Sequence, residues 1–270
     1  MIKWDPTTRS LTFSLPRWTE LVAGRYRHRL MVVAFILLAD ILVSYVDRPL
    51  AETMRQMDPG LRSFFAAITD IGDSKYTLIP IALVLPFLFA TLRAIEASSL
   101  HRIVGWLAGA LTFIFVAVAG SGLLVNVIKM IVGRTRPVLD ERYGEYGFAP
   151  FTLSDSAYHS FPSGHSNTVF ALAIAVSFFL PRLRTPLLIC AALVAFSRVA
   201  TTRHYLSDII AGGGLGIWTT YWLRGWFASR GWVFVQRQDG FRVAAPGQLL
   251  STKMREWLWR KLGGPQGPQP

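Results

Sequence analysis

Apolar residues in this chain run in long blocks instead of alternating with polar ones. From Ile103 to Ile128, 26 residues pass without a charge, more than the ~20 a helix needs to cross a bilayer. Leu30–Val46 is a second block, broken only by Asp40. Further blocks cover Thr77–Leu92, Ser166–Leu180, Thr185–Ser197 and Ile209–Leu223. The shorter ones reach spanning length by extending a turn into their polar flanks. The pattern predicts an all-α integral membrane protein with six transmembrane helices.

Between the blocks the pattern changes character. Residues 47–75 mix Leu61, Phe64 and Phe65 with charges, as expected of an amphipathic segment lying at the membrane surface. Asp70-Ile71-Gly72-Asp73-Ser74 reads as a turn and helix cap before the second span. Gly212, Gly213, Gly214 and Gly216 fall in the sixth block, where small residues let helices pack closely. Beyond it, Trp232–Val243 alternates around Asp239-Gly240, the signal for a two-residue hairpin. At 249–262, Leu250, Met254, Trp257, Leu258 and Leu262 recur at helical spacing among Lys253, Arg255, Arg260 and Lys261. That predicts a basic amphipathic helix on an anionic membrane surface. A Gly-Pro-Gln tail from Gly263 carries no pattern of either kind. The expected organisation is a basic N-terminal segment over 1–29, a six-helix domain over 30–226, and a tail over 227–270 with the hairpin and the basic helix.

Charge orients this arrangement. The net charge is +12 over 270 residues. With the N-terminus in the cytoplasm, the inside segments hold 18 Lys and Arg against 5 Asp and Glu, and the outside segments 10 against 10. Positive residues favour the cytoplasmic side, so both termini are placed inside. The first apolar block begins near residue 30, too late for a cleavable signal peptide. The basic residues flank spans and do not form a soluble patch, which excludes a nucleic-acid partner. Cys190 is the single cysteine and lies within the fifth block, so it can neither form an internal disulfide nor build a thiolate metal site.

Three short motifs carry the chemistry. Lys129 is followed after six residues by Arg136-Pro137; then comes Pro162-Ser163-Gly164-His165; then Ser197-Arg198, five residues, His204, three residues and Asp208. The first follows the third span, the second precedes the fourth, and the last joins the fifth to the sixth. Alternating crossings put all three on one non-cytoplasmic face. Lys129, Arg136 and Arg198 can neutralise phosphate oxygens, the arginines as planar forks. Ser163 and Gly164 stand where a loop enters a helix, so backbone N–H groups and the positive helix end can face an anion. Asp208, four residues after His204 and so one helical turn on along the same face, can hold one ring nitrogen of that histidine.

The three motifs, in this order and with no substituted position, resemble the type 2 phosphatidic acid phosphatase superfamily, membrane lipid phosphatases related to vanadium haloperoxidases. The resemblance covers roughly residues 120–215 by motif. It implies a phosphohistidine intermediate on His204, with His165 as acid and then base, and Asp208 as partner of His204. Lys129, Arg136, Ser163, Gly164 and Arg198 would bind the phosphate. No metal or other cofactor is expected, since cations already stabilise the charge and no carboxylate cluster suits Mg²⁺.

The expected partner is a membrane lipid phosphate, met within a bacterial inner membrane at its periplasmic face. Undecaprenyl pyrophosphate, phosphatidylglycerophosphate, phosphatidic acid and lipid A 1-phosphate are the candidates, with the isoprenoid diphosphate and the glycerophospholipids ahead. Transfer of the phosphate to a second lipid would use the same residues. A transporter would place charges at mid-membrane, where only Asp40 is a candidate. Among neighbouring residues, His159 could touch substrate, and Arg134 and Arg203 are divided between headgroup contact and plain solvation.

Overall fold

The computed structural model describes residues 2–5, 10–13, 33–34, 37–96, 99–237 and 240–244. The chain divides into two compact units, Met1–Val46 and Asp47–Pro270. In the first, β1 (Ile2–Asp5) pairs antiparallel with β2 (Ser10–Phe13), Lys3 opposite Thr12. Residues 33–34 and 37–41 are helical, the latter leading into a π-helical turn at Leu42–Val46, with Asp40 exposed. These residues are the described part of the first expected span.

The second unit is a bundle of helices. α1 (Asp47–Arg55) and α2 (Pro59–Thr69) are short. Asp58 starts α2 by accepting the amides of Gly60 and Leu61 at 2.9 and 3.0 Å, with Pro59 in the first turn. That is a side-chain cap followed by the one residue that has no amide to satisfy. Leu61 and Phe64 are exposed on α2, while Phe65 packs edge-on against Phe196. The expected turn appears as a 3-10 segment, Asp70–Gly72, and Asp73 accepts the Lys75 amide at 3.0 Å where the next helix begins.

α3 (Lys75–Ala94), α4 (Ser99–Val132), α6 (Gly164–Phe179), α7 (Arg184–Ala200) and α8 (Leu206–Ser229) coincide with the second to sixth apolar blocks; α5 (Pro137–Tyr143) is a short helix in the loop between α4 and α6. Pro59–Ala94, Ser99–Val132 and Pro181–Ala200 are each long and apolar enough to cross a membrane, and Gly164–Phe179 is a shorter apolar helix. Many large apolar side chains on α3 and α4 face outward, among them Leu83, Phe87, Leu123 and Val127. Outward-facing apolar side chains in such number are what a lipid environment accepts and water does not. Cys190 is exposed on α7.

α6 and α8 lie against each other, and glycine on α8 makes the fit. A Cβ on Gly212 would stand 2.2 Å from the carbonyl oxygen of Ser163, and one on Gly216 would stand 2.5 Å from that of Asn167. On Gly213 it would meet the Phe170 ring at 2.7 Å. Asn167 is fully buried in this seam and donates its side-chain amide to Ser121 of α4 at 2.9 Å.

At the far end, β3 (Phe234–Arg237) and β4 (Gly240–Val243) form the expected hairpin, with Arg237 opposite Gly240. Val233 and Phe234 are buried in a cluster with Phe113, Phe227 and Leu223, so the hairpin closes the bundle's core. The expected basic helix at 249–262 lies outside the described residues.

Candidate active site

The first motif is held by the loop that follows it. Lys129 is in the last turn of α4, and the chain leaves that helix through Gly133 in a left-handed conformation, φ 59°. A side chain there would run into the backbone of Ala149. The backbone of Arg134, Thr135 and Arg136 then pairs with the returning loop: Ser160 N–H to Arg134 O at 3.0 Å, Thr135 N–H to Gly147 O at 3.1 Å, Arg136 N–H to Ala157 O at 2.8 Å. Lys129 Nζ and Arg136 Nη2 both donate to the carbonyl of His159, at 3.1 and 3.5 Å.

The second motif joins the third through the backbone. Ser163 caps α6, its hydroxyl accepting from the Ser166 amide at 3.4 Å and from the Ser166 hydroxyl at 3.1 Å. Its own N–H donates to the backbone carbonyl of Asp208 at 2.9 Å. The start of α6 is therefore tied to the first turn of α8, which the missing side chain of Gly212 permits. Gly164 and His165, the first two residues of α6, keep N–H groups with no partner inside the helix. His165 packs against the turn before α3: a Cβ on Gly72 would sit 3.0 Å from its Cδ2.

In the third motif, Arg198 is in the last turn of α7 and donates to the Thr69 hydroxyl at 3.0 Å. His204 lies in the turn between α7 and α8, its N–H bonded to Arg198 O at 3.1 Å. Its Nδ1 stands 3.5 Å from Asp208 Oδ2, and both side chains are buried. The four-residue spacing suggests that this pair shares a helical face, and here the structure corrects the sequence reading. His204 precedes α8, and Asp208 turns back at the helix start to accept the N–H of Tyr205 at 2.9 Å. The histidine and its carboxylate meet through a helix cap instead of along a helix.

The cations converge on this pair. Lys129, Arg136 and Arg198 lie close enough to feel one another's charge, Lys129 and Arg136 close enough to act on His204, and Lys129 and Arg198 on His165. Burial holds the His204 ring at about 3, well below an ordinary histidine, outweighing the upward pull of Asp208. Its neutral form therefore prevails across the physiological range. Burial also lowers Arg136. The Nε atoms of Arg136 and Arg198 are buried without a hydrogen-bond partner among the described residues. Buried donors of this kind are costly unless an acceptor meets them, and in a cluster of three cations the fitting acceptor is an anion.

Residues 110–232 match the PAP2 superfamily. The chain is 32% identical over 234 residues to a lipid A 1-phosphatase of Rhizobium johnstonii, spanning 84% of this chain and 93% of that one. A lipid A 1-phosphatase of Rhizobium etli is 33% identical over 217 residues, spanning 79% and 88%. The chain belongs to the PAP2 superfamily. A transmembrane PAP2-type phosphatidylglycerolphosphate phosphatase from Bacillus subtilis shares the fold, with a TM-score of 0.53 at 22% identity over 76% of this chain and 97% of that one. The protein is thus a mostly helical membrane phosphatase acting on lipids.

Within this PAP2 phosphatase, three residues beside the motifs have defined places. His159 is committed to the loop: its Nε2 bonds the Thr152 carbonyl at 2.8 Å and its own carbonyl holds two cations. Arg203 is exposed, and its charge bears on Arg136 and Arg198. Arg134 is neither solvated nor free for a headgroup, which corrects the expectation for it: the residue is 1% exposed. Nη1 donates to Asp208 Oδ1 and, at 2.6 Å, to the Ser207 hydroxyl; Nη2 donates to Asp47 Oδ2 at 2.7 Å. Its guanidinium lies over the Tyr205 ring, 4.6 Å from the centroid. Ser160 adds a hydroxyl to Asp208 Oδ2 at 2.5 Å. Asp47, Ser160 and Ser207 belong to no motif, and nothing local in the sequence marks them.

Proposed function

We propose that this protein hydrolyses lipid A 1-phosphate, or a lipid headgroup phosphate of the same kind, through a phosphohistidine on His204. The observation that carries the mechanism is the buried His204–Asp208 pair beside three cations, two of which, Arg136 and Arg198, keep a buried Nε with no partner among the described residues. The choice of lipid is supported by the relatives' activity over 79–84% of the chain. It moves lipid A 1-phosphate to the head of the four candidates. Six spans with both termini in the cytoplasm would put the site at the periplasmic face of the inner membrane.

Asp208 Oδ2 faces Nδ1, so the ring carries its proton there and leaves the Nε2 lone pair to attack phosphorus. Burial and Arg198 hold the His165 ring at about 4 in the free site, so it takes up its proton as the negative phosphate binds. The N–P bond then forms as the P–O bond to the lipid breaks, and His165 gives that proton to the departing oxygen. His165 then takes a proton from water, whose oxygen attacks phosphorus and frees His204. Lys129, Arg136, Arg198 and the amides of Gly164 and His165 hold the non-bridging oxygens throughout, where charge grows in the transition state. Ser163 sets the turn that presents those amides. The cations do the work a metal would do elsewhere.

The test is a panel of the four lipid phosphates with purified protein in detergent, with excess EDTA present. Phosphate release from lipid A 1-phosphate should exceed that from the other three and survive chelation; vanadate should inhibit it. Complete loss on chelation, or a preference for an isoprenoid diphosphate, would overturn the corresponding half of the proposal. Adding a second lipid acceptor separates hydrolysis from phosphotransfer.

A further inference from the structure

The buried Arg134 has no part in the mechanism above, although it is among the largest fully buried side chains described. It lies within the first motif at a position the motif leaves open. Its guanidinium joins two buried carboxylates, Asp208 through Nη1 and Asp47 through Nη2, both in salt-bridge range and both essentially unexposed. Asp47 in turn accepts the Ser207 amide at 3.0 Å and the Ser207 hydroxyl at 2.5 Å. The two acids are therefore gathered around one cation and the first turn of α8. Tyr205, Tyr146 and Phe148 surround that cation with rings, and water is excluded from it.

We infer that Arg134 is a positioning residue for the nucleophile: it holds Asp208 by Oδ1, so that Oδ2 stays turned toward His204 as an ionised acceptor, and Asp47 anchors Arg134 from behind. The inference rests on the proposed roles of His204 and Asp208. Two features of the geometry support it. First, the two oxygens of Asp208 are divided, Oδ1 to Arg134 and Oδ2 to Ser160 and Tyr205 N–H, with His204 Nδ1 3.5 Å from Oδ2. A carboxylate bound on both oxygens cannot rotate, and a fork is the group suited to fix one. Second, the group between two buried carboxylates must be a permanent cation. Without it they are like charges in a dry place, and such a pair shares a proton. A proton shared onto Asp208 would cost His204 the acceptor that sets its tautomer.

The experiment compares Arg134→Gln, Arg134→Lys, the double variant Arg134→Gln with Asp47→Asn, and Asp208→Asn, each checked for a monodisperse detergent-solubilised protein. The assay is phosphate release from lipid A 1-phosphate, with kcat and KM separated across pH 5–9. Arg134→Gln should lower kcat by at least about tenfold with KM within about twofold, because the phosphate ligands are untouched. Its activity should also gain a dependence on a group shared by the two acids, rising with pH where the wild type does not. Removing the second acid should restore part of the loss, at least about threefold, since Asp208 then has no like charge to share a proton with.

A merely structural arginine would reduce the yield of folded protein, and neither the pH dependence nor the rescue would follow. Should Arg134→Gln fail to fold, Arg134→Lys decides: it keeps the charge but not the fork, and kcat should fall with the pH dependence unchanged. Unaltered kcat in a folded Arg134 variant, with Asp208→Asn inactive, would overturn this inference alone. Unaltered kcat in Asp208→Asn would overturn the mechanism beneath it.

Discussion

His204 owes its state to where it is buried. With a ring that takes a proton only at about 3, it stands as a neutral base at any pH the membrane meets. The unfolded chain binds that proton near 6.5, so between these values the unfolded state holds more protons and folding stability rises with pH. Acidifying from pH 6.5 toward 4 should therefore destabilise the wild type by up to about 1.4 kcal/mol per pH unit through this one group. His204→Asn should lack that share, so its thermal midpoint in detergent should fall less between pH 7 and pH 5 than the wild type's. An equal fall in both would show that His204 is not held neutral by the fold. For activity, His204→Ala should abolish turnover while the protein still inserts. Asp208→Asn should reduce kcat by up to about 10⁴-fold, the scale seen when a nucleophile's base loses the carboxylate that sets its tautomer. Normal rates in His204→Ala would remove the nucleophile assignment.

Residue types were legible at the site because chemistry constrains them: histidines, arginines and a carboxylate at set spacings point to phosphate transfer without a structure. Residues that merely support those groups were not. Asp47 and Ser207 are 160 positions apart and Arg134 and Asp208 are 74 apart, and a single chain carries no mark of such pairs. Arg134 illustrates this well. In sequence it is one more arginine beside a motif; in the fold it is the most deeply buried cation described.

At the scale of elements, the seam between α6 and α8 decides whether two motifs become one site. Gly212→Ala would push a methyl against the backbone carbonyl of Ser163, an atom that cannot swing aside. Overpacking of this kind costs about 1–3 kcal/mol, and here it would also separate the start of α6 from Asp208. The variant should lose both thermal stability and turnover. Gly214, two residues on, has nothing within 4 Å of an added Cβ. Gly214→Ala should leave activity unchanged and gain up to about 1 kcal/mol from reduced chain entropy. Equal behaviour of the two variants would show that the seam does not position the site. Sequence indicated close packing for this glycine cluster as a whole; which glycines meet backbone and which face open space depended on how α6 lies across α8.

For the whole molecule, the charge bias and the parity of spans make a prediction independent of the motifs. Reporter fusions at residue 150 and at the C-terminus should map to opposite sides of the membrane. Agreement between them would overturn the six-span topology. The described bundle supports the arrangement to the extent that five helices fall on five of the apolar blocks, three with the length and apolarity of a span. The hairpin was legible from its alternation and turn. Its place was not, because burial of Phe234 beside Phe113 and Phe227 joins segments over a hundred residues apart.

Sequence by itself determined that the chain has long apolar helices and handles the phosphate of a membrane lipid. Each of these is written locally, as a run of apolar residues long enough for a bilayer or as a side chain whose chemistry has few substitutes. Only the tertiary structure decided how His204 meets Asp208, and what stands behind them. That meeting depends on a helix cap at Tyr205, a glycine seam and an arginine between two acids. Burial and long-range pairing set those features, and they are properties of packed segments, not of any stretch of chain.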